Sequence, residues 1–232
     1  MIFNKDKNGA QELRELTGNY YANNKFDKIS GEIELATEEL SSLIGDEAMK
    51  LAEKYYTEPD KDADAELVRK VQRPVAILAL ERKHRCVPVS IYDGRKFKMA
   101  TDNSEKLPWE WQLDRDDALH LEEYYRAVDI LIRYLNKKQL KEWTDTSLYK
   151  LSQTLIIRNG EAFDGYFPIE RSERMYLMLV PFIREAQMLT VKRAYGSEWE
   201  ELLKEKESSE TDAHFAACKA GCIVLLISIV IT

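Results

Sequence analysis

The sequence predicts a mainly α-helical protein carrying one protruding β-hairpin. Apolar residues recur at i, i+3, i+4 and i+7 over several long segments, which is the period of a helix with one buried face. Serine, proline and charged residues stand where helix starts and ends need them. Strand-type alternation with a tight-turn signal is confined to residues 86–100. There Val87, Val89 and Ile91 alternate with Pro88, Ser90 and Tyr92. Asp93-Gly94 suits a two-residue type I′ turn, and Phe97 and Met99 alternate on the return.

Composition sets the bounds. With 232 residues, 44% apolar and 32% charged, the chain has ordinary globular composition and can bury a sizeable core. A formal charge of −7 argues against general nucleic-acid binding, which calls for a basic surface. The first seven residues, MIFNKDK, lack the apolar core of a signal peptide. Cys86, Cys218 and Cys222 are an odd number at no disulfide-framework spacing, as expected for folding in a reducing compartment. The apolar run 221–231 falls short of the roughly 18 residues a bilayer span needs, so no membrane partner is expected.

Taken in order, residues 1–25 read as an N-terminal arm with a short helical piece at 11–16, stopped by Gly18. Ser30 is expected to cap a helix bearing Ile33, Ala36, Leu40, Leu43 and Ile44, continuing through Ala48, Leu51, Ala52 and Tyr55. The stretch 57–60 ends it. A second helix is expected over 64–82, with Leu67, Val68, Val71, Val75, Leu78 and Ala79 on one face and a kink at Pro74. After the hairpin, Pro108 opens a long continuous helix to Trp143, a structural spine. Its stripe of Leu121, Tyr124, Tyr125, Val128, Leu131, Ile132 and Leu135 is expected to pack on two helical pairs.

Residues 144–168 are ambiguous. Leu148, Leu151 and Leu155 suggest helix, whereas Thr154-Leu-Ile-Ile suggests a short strand. Ser172 is expected to cap a helix carrying Met175, Met178, Leu179, Phe182, Ile183 and Ala186, kinked at Pro181. A short helix around Trp199, Leu202 and Leu203, a charged loop at 204–212 and an apolar C-terminal segment follow. Within that segment 213–227 reads as helix, and 228–232 as a contact with a partner chain. The expected organisation is an arm at 1–25, a helical pair, hairpin and long helix at 26–143, and a second helical region with an apolar tail at 144–232, forming one compact unit.

An internal repeat is one reading of the two helical pairs. The stretch from Phe26 parallels that from Phe167, with Ser30, Ile33, Leu35 and Leu40 opposite Ser172, Met175, Leu177 and Phe182. The stretch from Asp64 likewise parallels that from Thr211, with Val68 opposite Phe215 and Leu78 opposite Leu225.

No motif spells out a reaction. His214, Cys218 and Cys222 share one helical face, but ligands at i and i+8 lie about 12 Å apart along the axis and do not surround a tetrahedral ion. Asp114, Asp116 and Asp117 lack a calcium-loop pattern and suit a helix start. His84 and Cys86 would fall on a charged, exposed edge. No catalytic, cofactor or metal residue is therefore named. The hairpin is basic (Lys83, Arg85, Arg95, Lys96, Lys98) within an acidic protein, and a two-stranded ribbon cannot bury its own apolar strip. The candidate interface residues are Val87, Val89, Ile91, Arg95, Lys96, Phe97 and Met99, with Ile229, Val230 and Ile231 of the apolar tail.

Four stretches carry a resemblance: GNYYANNKFDKI, VSIYDGRKFK, PWEWQL and IERSERMYLMLVPFIREAQ. Together they resemble an uncharacterised protein family of Bacteroidales phages and prophages. The resemblance implies a non-enzymatic virion component assembled in the host cytoplasm, a head–tail connector or neck adaptor forming a homo-oligomeric ring between portal and tail. DNA would pass through such a ring without specific binding. A different class of function, a prophage-encoded enzyme or regulatory binding protein, would instead show a deep pocket with converging, perturbed titratable groups.

Overall fold

The computed structural model describes residues 1–18, 25–59, 61, 63–86 and 110–198. The chain divides into two compact units, residues 1–143 and 144–232. Among the described residues the structure is helical, with no strand.

In the first unit, α1 (Gly9–Thr17), α2 (Ser30–Ile44), α3 (Asp46–Thr57) and α5 (Glu110–Lys138) all pack on α4 (Ala65–Cys86). The sequence of α4 explains its central place. Leu67, Val68, Val71, Val75, Ala76, Ile77, Leu78, Ala79 and Leu80 are all buried, so its middle, residues 74–80, is apolar all round and needs neighbours on several sides. Pro74 lies inside the helix, buried. Tyr124, Val128, Leu131, Ile132 and Leu135 of α5 are buried as the stripe predicts, whereas Tyr125 is exposed.

Several expectations are corrected here. The helix read as running to Trp143 stops at Lys138, where Gln139 takes a positive φ of 51°. Trp143 sits on a separate turn, α6 (Lys141–Thr144), fully buried, its Nε1 donating to Asn136 Oδ1 at 2.7 Å. The helix read as continuous from Ser30 to Tyr55 is broken by Gly45 at φ 90°. Ser30 is the first helical residue rather than the cap, its hydroxyl donating to the Asp27 carbonyl at 3.2 Å. Helix α4 runs through Cys86, so no strand begins there, and the remainder of the expected hairpin, 87–100, lies outside the described residues.

The N-terminal stretch is not a free arm. Ile2, Phe3 and Leu13 are buried, and Gln72 Nε2 of α4 donates to the Ile2 carbonyl at 2.8 Å. Tyr56 of α3 donates to Glu12 Oε1 at 2.6 Å and accepts from the Lys5 amide, also at 2.6 Å. Glu12 Oε2 accepts from the Asn4 amide at 2.9 Å, and Asn4 Oδ1 accepts from the Gly9 amide at 3.1 Å. Gly9 admits the Phe26 ring: a Cβ there would stand 2.4 Å from it. Polar bonding between α1 and α3 thus closes the unit where apolar periodicity is thin.

The second unit is built from α7 (Ser147–Gln153), α8 (Gly160–Asp164) and α9 (Glu173–Ala186), followed by a π-helical turn (Gln187–Val191) and α10 (Lys192–Tyr195). Ser172 caps α9, its Oγ accepting from the Met175 amide at 3.1 Å. The possible strand at Thr154-Leu-Ile-Ile is instead an irregular connection whose backbone groups are satisfied from α9 and the turn after it. Gln187 Oε1 accepts from the Ile156 amide at 2.8 Å, its Nε2 donates to the Thr154 carbonyl at 3.3 Å, and Tyr176 donates to the Ile157 carbonyl at 2.7 Å. Those side-chain partners release Leu155, Ile156 and Ile157 from any ladder while keeping them buried.

The proposed internal repeat fails on burial. Ile33 and Leu40 are buried, but their counterparts Met175 and Phe182 are exposed. Leu35 is exposed, but its counterpart Leu177 is buried. Three aligned pairs with opposite burial cannot share one register, because alignment by helical repeat must keep the core face on one side. The second aligned stretch, 211–227, lies outside the described residues.

Candidate interaction surface

Helix α9 is apolar on two sides. Its inner face, Tyr176, Leu177, Val180, Ile183 and Ala186, is buried within the second unit, where α7 and α8 pack on the helix. The opposite side carries Met175 (38% exposed), Met178 (55%) and Phe182 (41%). Met188 and Leu189 of the π turn continue it, both exposed. Pro181 is exposed between them. The stripe runs on the order of 20 Å at the usual rise of a helix.

Scattered exposed apolar residues are normal, but a contiguous row on one helix face is characteristic of a contact surface. Methionine suits such a row because its unbranched, polarizable side chain adapts to a partner. Two aromatic residues of the loop preceding α9, Tyr166 and Phe167, are exposed as well, the Phe167 ring set edge-on to the buried Phe163 at 6.4 Å. Positive charge flanks the far end of the stripe, where Lys192 and Arg193 of α10 are exposed.

The first unit holds an open cleft of about 330 Å³ between α1, α3 and α4, lined by Glu12, Tyr56, Val68, Arg69 and Gln72 among others. Its most chemical groups already serve the fold. Both Glu12 oxygens, the Tyr56 hydroxyl and the Gln72 amide hold the N-terminal segment through the bonds given above. Burial, then the bond to Glu12, pushes the Tyr56 hydroxyl well above its ordinary pKa, so it stays a neutral donor.

A second polar cluster ties α4 to α5. Asp64 Oδ1 accepts from the Leu67 amide at 3.1 Å, and its Oδ2 accepts from Tyr134 at 2.6 Å, with Lys138 Nζ at 3.5 Å. Lys70 and Lys138 lie over the Tyr134 ring at 5.1 and 5.4 Å. Partial burial pushes the Asp64 carboxyl up, but the Tyr134 hydroxyl, the Leu67 amide and Lys138 outweigh it and leave its pKa below the ordinary value. This geometry is that of a helix cap with a charged clasp.

The interface residues expected from sequence, Val87, Val89, Ile91, Arg95, Lys96, Phe97, Met99, Ile229, Val230 and Ile231, all lie outside the described residues, as do His214, Cys218 and Cys222. Asp114, Asp116 and Asp117 lie near the start of α5, with His120 Nε2 3.8 Å from Asp116 Oδ1. Among the described residues no group of three His, Cys, Asp or Glu is placed to hold a metal ion, and no helix is long and apolar enough to cross a membrane. Sequence reading did not single out the exposed row on α9. The signal was present: 175–183 is nearly unbroken apolar sequence, too much for one face. No protein-family model, no curated protein and no solved structure matches the chain.

Proposed function

We propose that this chain is a non-enzymatic structural subunit that assembles with copies of itself. Its specific form is a head–tail connector or neck adaptor of a phage virion, joining portal to tail as a ring assembled in the host cytoplasm. The observation that carries the assembly reading is the uncovered apolar row Met175, Met178, Phe182, Met188 and Leu189. Covering such side chains contributes about 1.5–3 kcal/mol for each one taken fully out of water, enough for a few to hold a subunit contact. The phage setting is carried by the sequence resemblance.

A protruding hairpin over 87–100 supplies a second contact in this reading, through Val87, Val89, Ile91, Phe97 and Met99, with Arg95 and Lys96 facing an acidic partner surface. Electron microscopy of the purified chain is the direct test. Closed rings, and recovery of the protein in purified virions, are the expected results. A chain that stays monomeric at micromolar concentration and is absent from virions contradicts the reading.

A further inference from the structure

Every methionine of the second unit is open to solvent. Residues 144–232 contain Met175, Met178 and Met188 and no others. They are 38%, 55% and 43% exposed, whereas the inner face of α9, with Tyr176, Leu177, Val180, Ile183 and Ala186, holds no sulfur. Met49 of the first unit is only 4% exposed. Leucine would serve an apolar row as well, so what sets these three positions apart is an accessible thioether.

We infer that Met175, Met178 and Met188 form an oxidant-sensitive switch, each taking an oxygen atom from a hydroperoxide and together turning the α9 row from apolar to polar. This rests on the assembly reading above and names how that surface is regulated. A sulfur lone pair attacks one peroxide oxygen, so an S–O bond forms as the O–O bond breaks. The proton on the attacked oxygen passes to the leaving oxygen, which departs as water from hydrogen peroxide or as an alcohol from an alkyl hydroperoxide. Sulfur gives up two electrons and the peroxide gains them. The protein neither gains nor loses a proton.

The surroundings of Met178 suit the product. Arg174 Nη1 donates to Met178 Sδ at 3.1 Å. A thioether sulfur has two lone pairs, so this one bond leaves the other for the oxidant. A sulfoxide oxygen accepts a hydrogen bond more strongly than a thioether does, and the Arg174 guanidinium already lies within reach as a charged donor. Sulfoxide formation also spares the fold. The buried face of α9 carries no methionine, so the change in polarity is confined to the exposed side, where a sulfoxide stays hydrated in the free subunit and opposes apolar contact.

The test treats the full chain with hydrogen peroxide, diluted until light scattering shows single subunits, and then concentrates it. Peptide mass mapping is expected to find one added oxygen on Met175, Met178 and Met188 while Met49 is still unmodified. Circular dichroism should be unchanged. The concentration needed for assembly should rise at least about tenfold, since each side chain left in water forfeits the transfer free energy of its burial. Methionine sulfoxide reductase should restore assembly. A Met175→Leu/Met178→Leu/Met188→Leu variant should assemble as the wild type does and ignore peroxide. Oxidation of Met49 as fast as the other three overturns the inference, as does an oxidised chain that assembles normally. Equal peroxide sensitivity in the triple variant overturns it too, by placing the response elsewhere. A chain that assembles and is deaf to peroxide removes the switch alone; an untreated chain that never assembles removes the assembly reading and the switch with it.

Discussion

Leu131 is wholly buried on α5, the helix that packs on α4. Leu131→Asp is therefore expected to cost at least about 3 kcal/mol and abolish cooperative thermal unfolding of the first unit. Wild-type thermal stability in that variant would mean that the α5 stripe is not core. Asp64 gives a pH-dependent counterpart. Its carboxyl has a lower pKa in the folded chain than the ordinary value near 3.9, so the folded state holds the charged form more tightly than the unfolded state does. Its stabilising contribution is present above about pH 4 and is lost as the pH falls through the lower folded value. In Asp64→Asn, denaturant titrations from pH 6 to pH 2 are expected to show a shallower acid decline, with stability at pH 6 lower by about 1 kcal/mol for the weakened cap. An unchanged acid limb would show that the clasp with Tyr134 and Lys138 does not form.

Helices α1 and α9 show what residue pattern can and cannot convey about an element. Gly9 was legible only as one of two glycines in residues 1–25, yet it lets Phe26 lie directly on the backbone of α1. Gly9→Ala is expected to cost about 1–3 kcal/mol by overpacking, measured by chemical denaturation. A variant as stable as wild type would show that the Phe26 ring moves aside freely. Tyr176 tests α9 in the same way. Burial, then the nearby Glu173 charge, raises its pKa, so the folded chain keeps the hydroxyl protonated where an unfolded chain ionises. That preference is harmless below about pH 10 and costs stability above it, so alkaline unfolding is expected to begin there. Tyr176→Phe should flatten the alkaline limb while lowering stability at pH 7, because Ile157 loses its donor. If both limbs match wild type, Tyr176 does not hold the irregular 154–157 connection. That connection was ambiguous between helix and strand in the sequence because β-branched residues signal burial as readily as pairing. Its backbone partners, Gln187 and Tyr176, are 19 to 33 residues away and leave no local trace.

At the scale of the whole molecule, the helical class was legible because 3.6-residue periodicity is local. The stripes on α4 and α5 named their buried residues well. Helix ends were less legible, since Gly45 and Gln139 break helices through backbone φ that few sequence signals specify. The apparent repeat arose because amphipathic helices resemble one another in pattern; burial, which depends on tertiary neighbours, separates them. The contact surface was hidden for a related reason. Met178 and Phe182 are as apolar as core residues, and only the packing shows that α7 and α8 leave their side of α9 open. Light scattering of the wild-type chain beside Phe182→Asp tests the assembly claim most directly. Since Phe182 is exposed, the substitution should leave helical content and melting temperature unchanged. The account predicts a wild-type mass of several subunits and a Phe182→Asp mass of one, 27.0 kDa. A wild-type chain at 27.0 kDa, or a Phe182→Asp chain that assembles as the wild type does, contradicts it.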